Sequence, residues 1–197
     1  MGAPDDDIHL LKRVAEGDEA AFVELMARYK QPVFRFAFRY LGNESDSEEV
    51  TGDTFFRVFR NAARFTPKAS VKTWIFTIAL NLSRDRLRKG KKQKRQVSFE
   101  DLSRSEKSGN DPLEAIDSKE PSPSEQAQSN EGLAQIQHCI GLLPEKLRFP
   151  FIFCVLEHHS YDECATILNT NRKTVETRIY RARQTLKAIL EEHMQKV

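Results

Sequence analysis

The chain has 197 residues, 31 Lys and Arg against 29 Asp and Glu, and a formal net charge of +2. With 39% hydrophobic and 30% charged residues, it can bury one modest core or two small ones, and its longest apolar run, near "FPFIFCVL", is too short to span a membrane. The acidic start "MGAPDDDIHL" does not read as a signal peptide, and Cys139, Cys154 and Cys164, with no C-x-x-C pair, read as free thiols of a reducing, cytoplasmic compartment.

In chain order, Asp5 to Val14 predicts a short helix. Asp18 is positioned to cap a second helix with Ala21, Phe22, Leu25 and Met26 on one stripe. Pro32 is expected to kink or restart it, and Val33, Phe34, Ala37 and Leu41 carry the stripe onward. "GNESDS" predicts a turn and a new helix start, followed by Val50, Phe55, Val58 and Phe59. "RFTPKAS" predicts a loop. Ser70 then opens a helix with Val71, Trp74, Ile75, Ile78, Leu82 and Leu87 facing inward.

After Gly90 the periodicity stops. Residues 91–128 are rich in Ser, Lys, Glu and Pro, with "EPSPSEQAQS" the plainest stretch, and are expected to form a flexible linker. Leu133, Ile136, Ile140 and Leu143 resume a helical stripe. Pro144 suits the first turn of the next helix, in which Pro150 is out of place. Ser160 and Glu163 have capping-box spacing. "NTN" predicts a tight turn, with Asn171 capping the final helix. Helix, tight turn and basic helix make a helix-turn-helix. The fold class expected is all-α: two small helical domains, 1–90 and 129–197, joined by a linker over 91–128.

Charge is distributed in blocks. Residues 63–96 carry eleven basic side chains against Asp85 alone; 97–132 carry three basic against nine acidic; 171–190 carry six basic against Glu176. Two basic surfaces separated by an acidic tract suit a polyanion.

On a helical wheel, Val175, Ile179, Ala182 and Leu186 of the last helix fall on one side, and Lys173, Thr177, Tyr180, Arg181 and Gln184 on the other. The first side can pack on the preceding helix, and the second can enter a major groove. A solvated surface helix is the plainer alternative. The first basic block mixes Phe65, Trp74 and Phe76 with Lys68, Lys72, Arg84, Arg86 and Arg88, which suits a single strand, because bases stack while phosphates are neutralised. Trp74 also has core spacing, and "KGKKQKR" reads equally as a non-specific phosphate contact.

Catalytic signatures are missing from the sequence: it has no Gly-rich phosphate loop, no nucleophile elbow and no HExxH. Cys154 and His158, with Cys164 nearby, could meet as metal ligands at helical spacing, or simply share a packed face. The expectation is a non-enzyme with no cofactor and no bound metal.

These residues carry a resemblance. "AFVELMARYKQPVFRFAFRYLGNESDSEEVTGDTFFRVFRNAARF" and "VKTWIFTIALNLSRDRLRK" resemble the sigma-2 domain of bacterial extracytoplasmic-function (ECF) sigma factors. "LLPEKLRFPFIFCVLEHHSYDECATILNTNRKTVETRIYRARQTLKAIL" resembles their sigma-4 domain. The resemblance implies a promoter-specificity subunit that binds core RNA polymerase through the β′ clamp helices and β flap, together with promoter DNA and an anti-sigma factor, without membrane insertion. It places Asp46, Glu48, Glu49, Asp53, Phe55 and Val58 against the clamp helices. It places Phe65, Lys68, Ser70, Lys72, Asn81, Arg84 and Arg88 at the −10 element, and Arg172, Lys173, Thr174, Glu176, Thr177, Arg178 and Arg181 at the −35 element. Gly52 stands where the family usually has Gln, and Leu80 where a basic residue is common. "NRKTVETR" matches the frequent "PVGTVKSR" at Thr174, Val175 and Arg178 and departs from it at Arg172, Lys173 and Glu176. A disordered linker of 38 residues spans roughly 35 Å root-mean-square and stretches well past a spacer of roughly 58 Å. The rival reading is a helix-turn-helix regulator that binds duplex DNA without polymerase.

Overall fold

The structure is a computed structural model and describes residues 4–67, 69–101 and 135–194. Every regular element among them is a helix: α1 (Pro4–Ala15), α2 (Glu19–Leu41), α3 (Glu44–Asn61), a 3₁₀ turn (Ala62–Arg64), α4 (Val71–Asp101), α5 (135–142), α6 (Glu145–Pro150), a π-helical segment (Phe151–Leu156), α7 (Tyr161–Ile167) and α8 (Arg172–Met194). The all-α expectation holds.

The helix starts are where the capping residues place them. Asp18 accepts from the Ala21 amide at 3.1 Å, Asn43 from Asp46 at 2.8 Å, Ser70 from Thr73 at 3.2 Å and Asn171 from Thr174 at 2.8 Å. Each satisfies an amide that the helix itself leaves unpaired. Ser160 and Glu163 form the full reciprocal capping box. Gly42, at φ 83°, lets the chain leave α2 in a left-handed turn that other residues resist.

Three local expectations need correction. The helix does not restart at Pro32: α2 runs through it as one element. Leu25 before the proline and Val33, Phe36 and Tyr40 after it are all buried in the same core, and that burial outweighs the lost hydrogen bond. α4 does not stop at Gly90; its backbone stays helical to Asp101, inside the expected linker, and the remaining linker residues, 102–128, lie outside the described residues. At Pro150, which has no amide hydrogen to donate, the chain widens into the π-helical segment, and the Glu157 amide bonds to the carbonyl of Ile152, five residues back.

Two helical units result, α1–α4 and α5–α8, and they pack on each other. One continuous hydrophobic cluster runs through both. At its centre Phe36 of α2 meets Phe149 at 5.6 Å and Phe76 of α4 meets Phe153 at 5.1 Å, both edge to face, a favoured aromatic geometry. Around this contact Glu157, with a side chain only 5% exposed, pairs with Arg39 at 2.6 Å and Arg35 at 3.4 Å. Gln137 of α5 donates to the carbonyls of Phe38 and Arg39 in the last turn of α2, where helix carbonyls run out of intrahelical donors; the Phe38 carbonyl also accepts from the Gly42 amide. The interior is therefore one shared core.

Candidate nucleic-acid interface

α8 is positioned by its apolar stripe. Val175, Ile179 and Ala182 are buried against α7 and the α6–π segment, which turns the opposite side outward. There Thr177 and Arg181 are exposed, and Tyr180 is 65% exposed. Lys173, Thr174, Thr177, Arg178 and Arg181 line a surface depression of 540 Å³, together with Asn171 and, from α6, Lys146 and Leu147. No carboxylate lines it. Among the described residues, Lys173, Arg178 and Arg181 have no ion-pair partner. A concave, hydroxyl-bearing surface of unneutralised cations is what a phosphodiester backbone requires.

The other two α8 candidates behave differently. Arg172 is held by Asp162 at 2.9 Å and Glu176 at 3.1 Å, with its guanidinium 5.8 Å from the Tyr161 ring centre. Its hydrogen bond to Glu176 and the charge of Asp162 raise its pKa. Glu176 thus helps neutralise Arg172 within α8, while the Asp162 pair and the Tyr161 ring tie Arg172 to α7. Tyr180, on the outward side with Thr177 and Arg181 as the wheel placed it, is an exposed aromatic out of phase with the buried stripe.

The first basic block is divided by the fold. Lys72 pairs with Glu163 of α7 at 2.8 Å and is only 16% exposed. Arg84 lies 2.8 Å from Glu145 of α6, close enough for an ion pair though not aligned for a hydrogen bond. Asn81 and Arg88 face solvent, with Arg88 bonded to Asp85. Ser70 caps α4. Phe65 lies against Trp74, ring centres 5.1 Å apart, and Trp74 is half-buried. Lys68 lies outside the described residues. Lys72 and Asn81 are nine residues apart, about half a turn out of phase, so the four candidates on α4, Lys72, Asn81, Arg84 and Arg88, do not share one face. Leu80 is buried, where a basic side chain could not be accommodated.

α3 presents a second surface. Asp46 and Glu49 both take Arg86 of α4, at 2.6 and 2.7 Å. Burial works against the Asp46 charge, but hydrogen bonds from Arg86 and Asn43 outweigh it and hold its pKa below the usual carboxylate range. Glu48 and Asp53 are exposed. Phe55 and Val58 are 3% and 0% exposed. Val58 therefore meets the core and offers no docking surface, and Phe55 forms only the floor of a groove. That groove, 720 Å³ between α2 and α3, is lined by Phe22, Met26, Phe34, Phe56 and Phe59, with Glu48 and Lys30 at its sides and Gly52 in its wall. Phe56 and Phe59 are 59% and 48% exposed. Phe59, expected on the stripe with Val50, Phe55 and Val58, is turned half outward instead, and Phe56 beside it lies outside that stripe.

Among the described residues no group of three or more His, Cys, Asp or Glu is placed to hold a metal ion. The helical spacing that would join Cys154 to His158 ends at Leu156, and His158 stands in a turn with φ 55°. No helix among the described residues is long and apolar enough to cross a membrane.

Comparison with known proteins agrees with this geometry. Residues 25–93 match the family Sigma-70 region 2, and residues 133–186 match Sigma-70, region 4. The chain is 30% identical to the ECF RNA polymerase sigma factor SigW of Bacillus subtilis, over 90% of this chain and 92% of that one. It is 30% identical to the ECF RNA polymerase sigma factor SigE of Mycolicibacterium smegmatis, over 91% of this chain, spanning 66% of that protein's length. Among solved structures it is similar to CnrH in complex with the cytosolic domain of CnrY, with a TM-score of 0.68 and 26% identity, covering 95% of this chain and 99% of that one.

Proposed function

Because this chain belongs to the ECF group of the sigma-70 family, the factors that direct RNA polymerase to promoters, we propose how its surfaces divide that work. α8 lies in the major groove of the −35 element, with Lys173, Thr174, Thr177, Arg178, Tyr180 and Arg181 toward DNA. Arg172 and Glu176 brace the helix from its side. The groove between α2 and α3, with Phe56 and Phe59 at its rim and Glu48 and Asp53 beside it, docks on the β′ clamp helices of core polymerase, and the second unit meets the β flap. Phe65, Lys72, Asn81, Arg84 and Arg88 meet the −10 strand, which requires Lys72 and Arg84 to part from Glu163 and Glu145. The two domains are the α1–α4 and α5–α8 units with the connection between them, and the protein works beside polymerase in the cytoplasm without catalysing a reaction itself.

The observation that carries this reading is the carboxylate-free, cation-lined depression on α8, on the side opposite its buried stripe. An anti-sigma partner is proposed from the likeness to CnrH, captured with CnrY. Run-off transcription with purified core polymerase on a promoter-fragment library tests the whole. Initiation only when the chain is present is the expected result. Tight duplex binding without initiation would instead favour a polymerase-independent regulator.

A further inference from the structure

We infer that Lys146, outside the helix-turn-helix proper, is a DNA-backbone contact that clamps a phosphate beside the duplex read by α8. This rests on the −35 reading of α8. Lys146 is the second residue of α6, directly after Glu145. It is exposed and shares the 540 Å³ depression with Lys173, Thr174, Thr177, Arg178 and Arg181 of the neighbouring helix α8. Its neighbours on α6 have other tasks. Glu145 faces Arg84 of the first unit, and Arg148 donates to the carbonyls of Leu143 and Tyr40. Lys146 has no ion-pair partner among the described residues, so its charge faces the depression uncompensated.

The chemistry of the depression selects the ligand. Four cations and two hydroxyls surround it and no carboxylate does, which repels metal ions and basic peptides and attracts a polyanion. Of the four cations, only Lys146 comes from a helix other than α8. A duplex with α8 in its major groove places phosphates on both walls of that groove, and a cation on a second helix reaches a wall and not a base edge. Lysine is a point charge on a flexible stem, suited to holding phosphate without the paired hydrogen bonds by which arginine reads guanine. The contact is therefore sequence-independent and contributes affinity and register.

The test uses the full chain and fluorescence anisotropy. The probe is a duplex carrying the upstream element that the chain retains from a randomised pool, titrated from about 50 to about 200 mM salt. Lys146→Ala is expected to make the slope of log K against log salt shallower by about 0.9, the effect of one lost phosphate contact on duplex DNA. The preference for the retained over a scrambled duplex and the melting temperature should stay as in wild type, and Lys146→Arg should restore the slope. An unchanged slope in Lys146→Ala, while Arg181→Ala loses binding, would overturn the Lys146 contact and leave the −35 reading standing. A wild-type chain that retains no sequence from the pool would overturn both. A changed preference with an unchanged slope would overturn the phosphate role in favour of base contact.

Discussion

Lys72 Nζ lies 2.8 Å from Glu163 Oε1, joining the first turn of α4 to the capping box of α7 across the seam between the two units. Glu163 does two jobs there, since its other oxygen accepts from the Ser160 amide at 3.0 Å. Burial works against its charge, but the Lys72 and Ser160 hydrogen bonds prevail and lower its pKa. The same Lys72 belongs to the set proposed for the −10 strand, and in this packed arrangement its charge is taken by a carboxylate.

Glu163→Gln separates the two jobs, because an amide oxygen can still complete the capping box but carries no charge for Lys72. The expected cost is about 0.5–1.5 kcal/mol at pH 7, the range for one partly buried polar interaction, read as a shift in denaturant midpoint. A carboxylate whose pKa is depressed by folding contributes stability above its unfolded value, and that stability is lost as pH falls through the folded value. The difference between wild type and Glu163→Gln should therefore shrink below about pH 4.5. Equal midpoints at pH 7 would remove the pair from the account of the seam.

His159 sets a second pH window. Its ring lies 4.3 Å from Phe153 and 5.1 Å from Phe76, centre to centre, and its Nε2 is buried without a hydrogen-bond partner. Burial, then the charge of Lys72, with Arg35 and His158 adding and Glu163 opposing, pushes its pKa down to about 4 from 6.5. The unfolded chain thus binds the proton first. Stability is full above about pH 6.5 and declines as pH falls toward 4, by up to about 3 kcal/mol. Melting temperatures between pH 7 and 5 should fall more steeply in wild type than in His159→Phe. Parallel curves would contradict this.

Phe56 and Phe59 are large apolar side chains about half exposed on the rim of the groove, Phe59 resting on Phe22 with ring centres 5.2 Å apart. Phe56→Ser and Phe59→Ser are expected to leave the melting temperature within a few degrees of wild type. Each should weaken binding to core polymerase by about 1–2 kcal/mol, the loss of an aromatic anchor at an interface. Val58→Ser, by contrast, should lose stability first, because Val58 is fully buried. Competition against a labelled sigma factor for core polymerase separates the two outcomes.

On α8, Arg181→Ala and Arg178→Ala are expected to weaken binding to the −35 duplex, by about 1–3 kcal/mol for whichever reads a base. Arg172→Ala should cost less than either, because its guanidinium is shared between Asp162 and Glu176. Footprints with equal loss in all three variants would return Arg172 to the DNA face.

Local order was written in the sequence. Asp18, Asn43, Ser70, Ser160 and Asn171 mark helix starts because a short polar side chain reaches its own backbone two or three residues on, whatever surrounds it. The stripe Val175, Ile179, Ala182 gave the buried side of α8 for the same kind of reason, since helical periodicity is a local property. Glu48 and Asp53 were legible as surface. Phe55 and Val58 were placed at the same surface by resemblance although their spacing, shared with Val50, already pointed to the core.

Sequence alone therefore determined where most helices start, their caps, the order of the helical segments and the basic side of α8. Tertiary structure alone decided that α2 passes through Pro32, that the chain widens after Pro150, and that the two units share one core. It also decided that Lys72 and Arg84 face carboxylates while Lys173, Arg178 and Arg181 do not. The physical reason is range. Capping and periodicity act over about four residues, one turn of helix. The partners of Lys72 and Arg84 lie far along the chain and come near only when Phe36 and Phe76 bury their rings against Phe149 and Phe153.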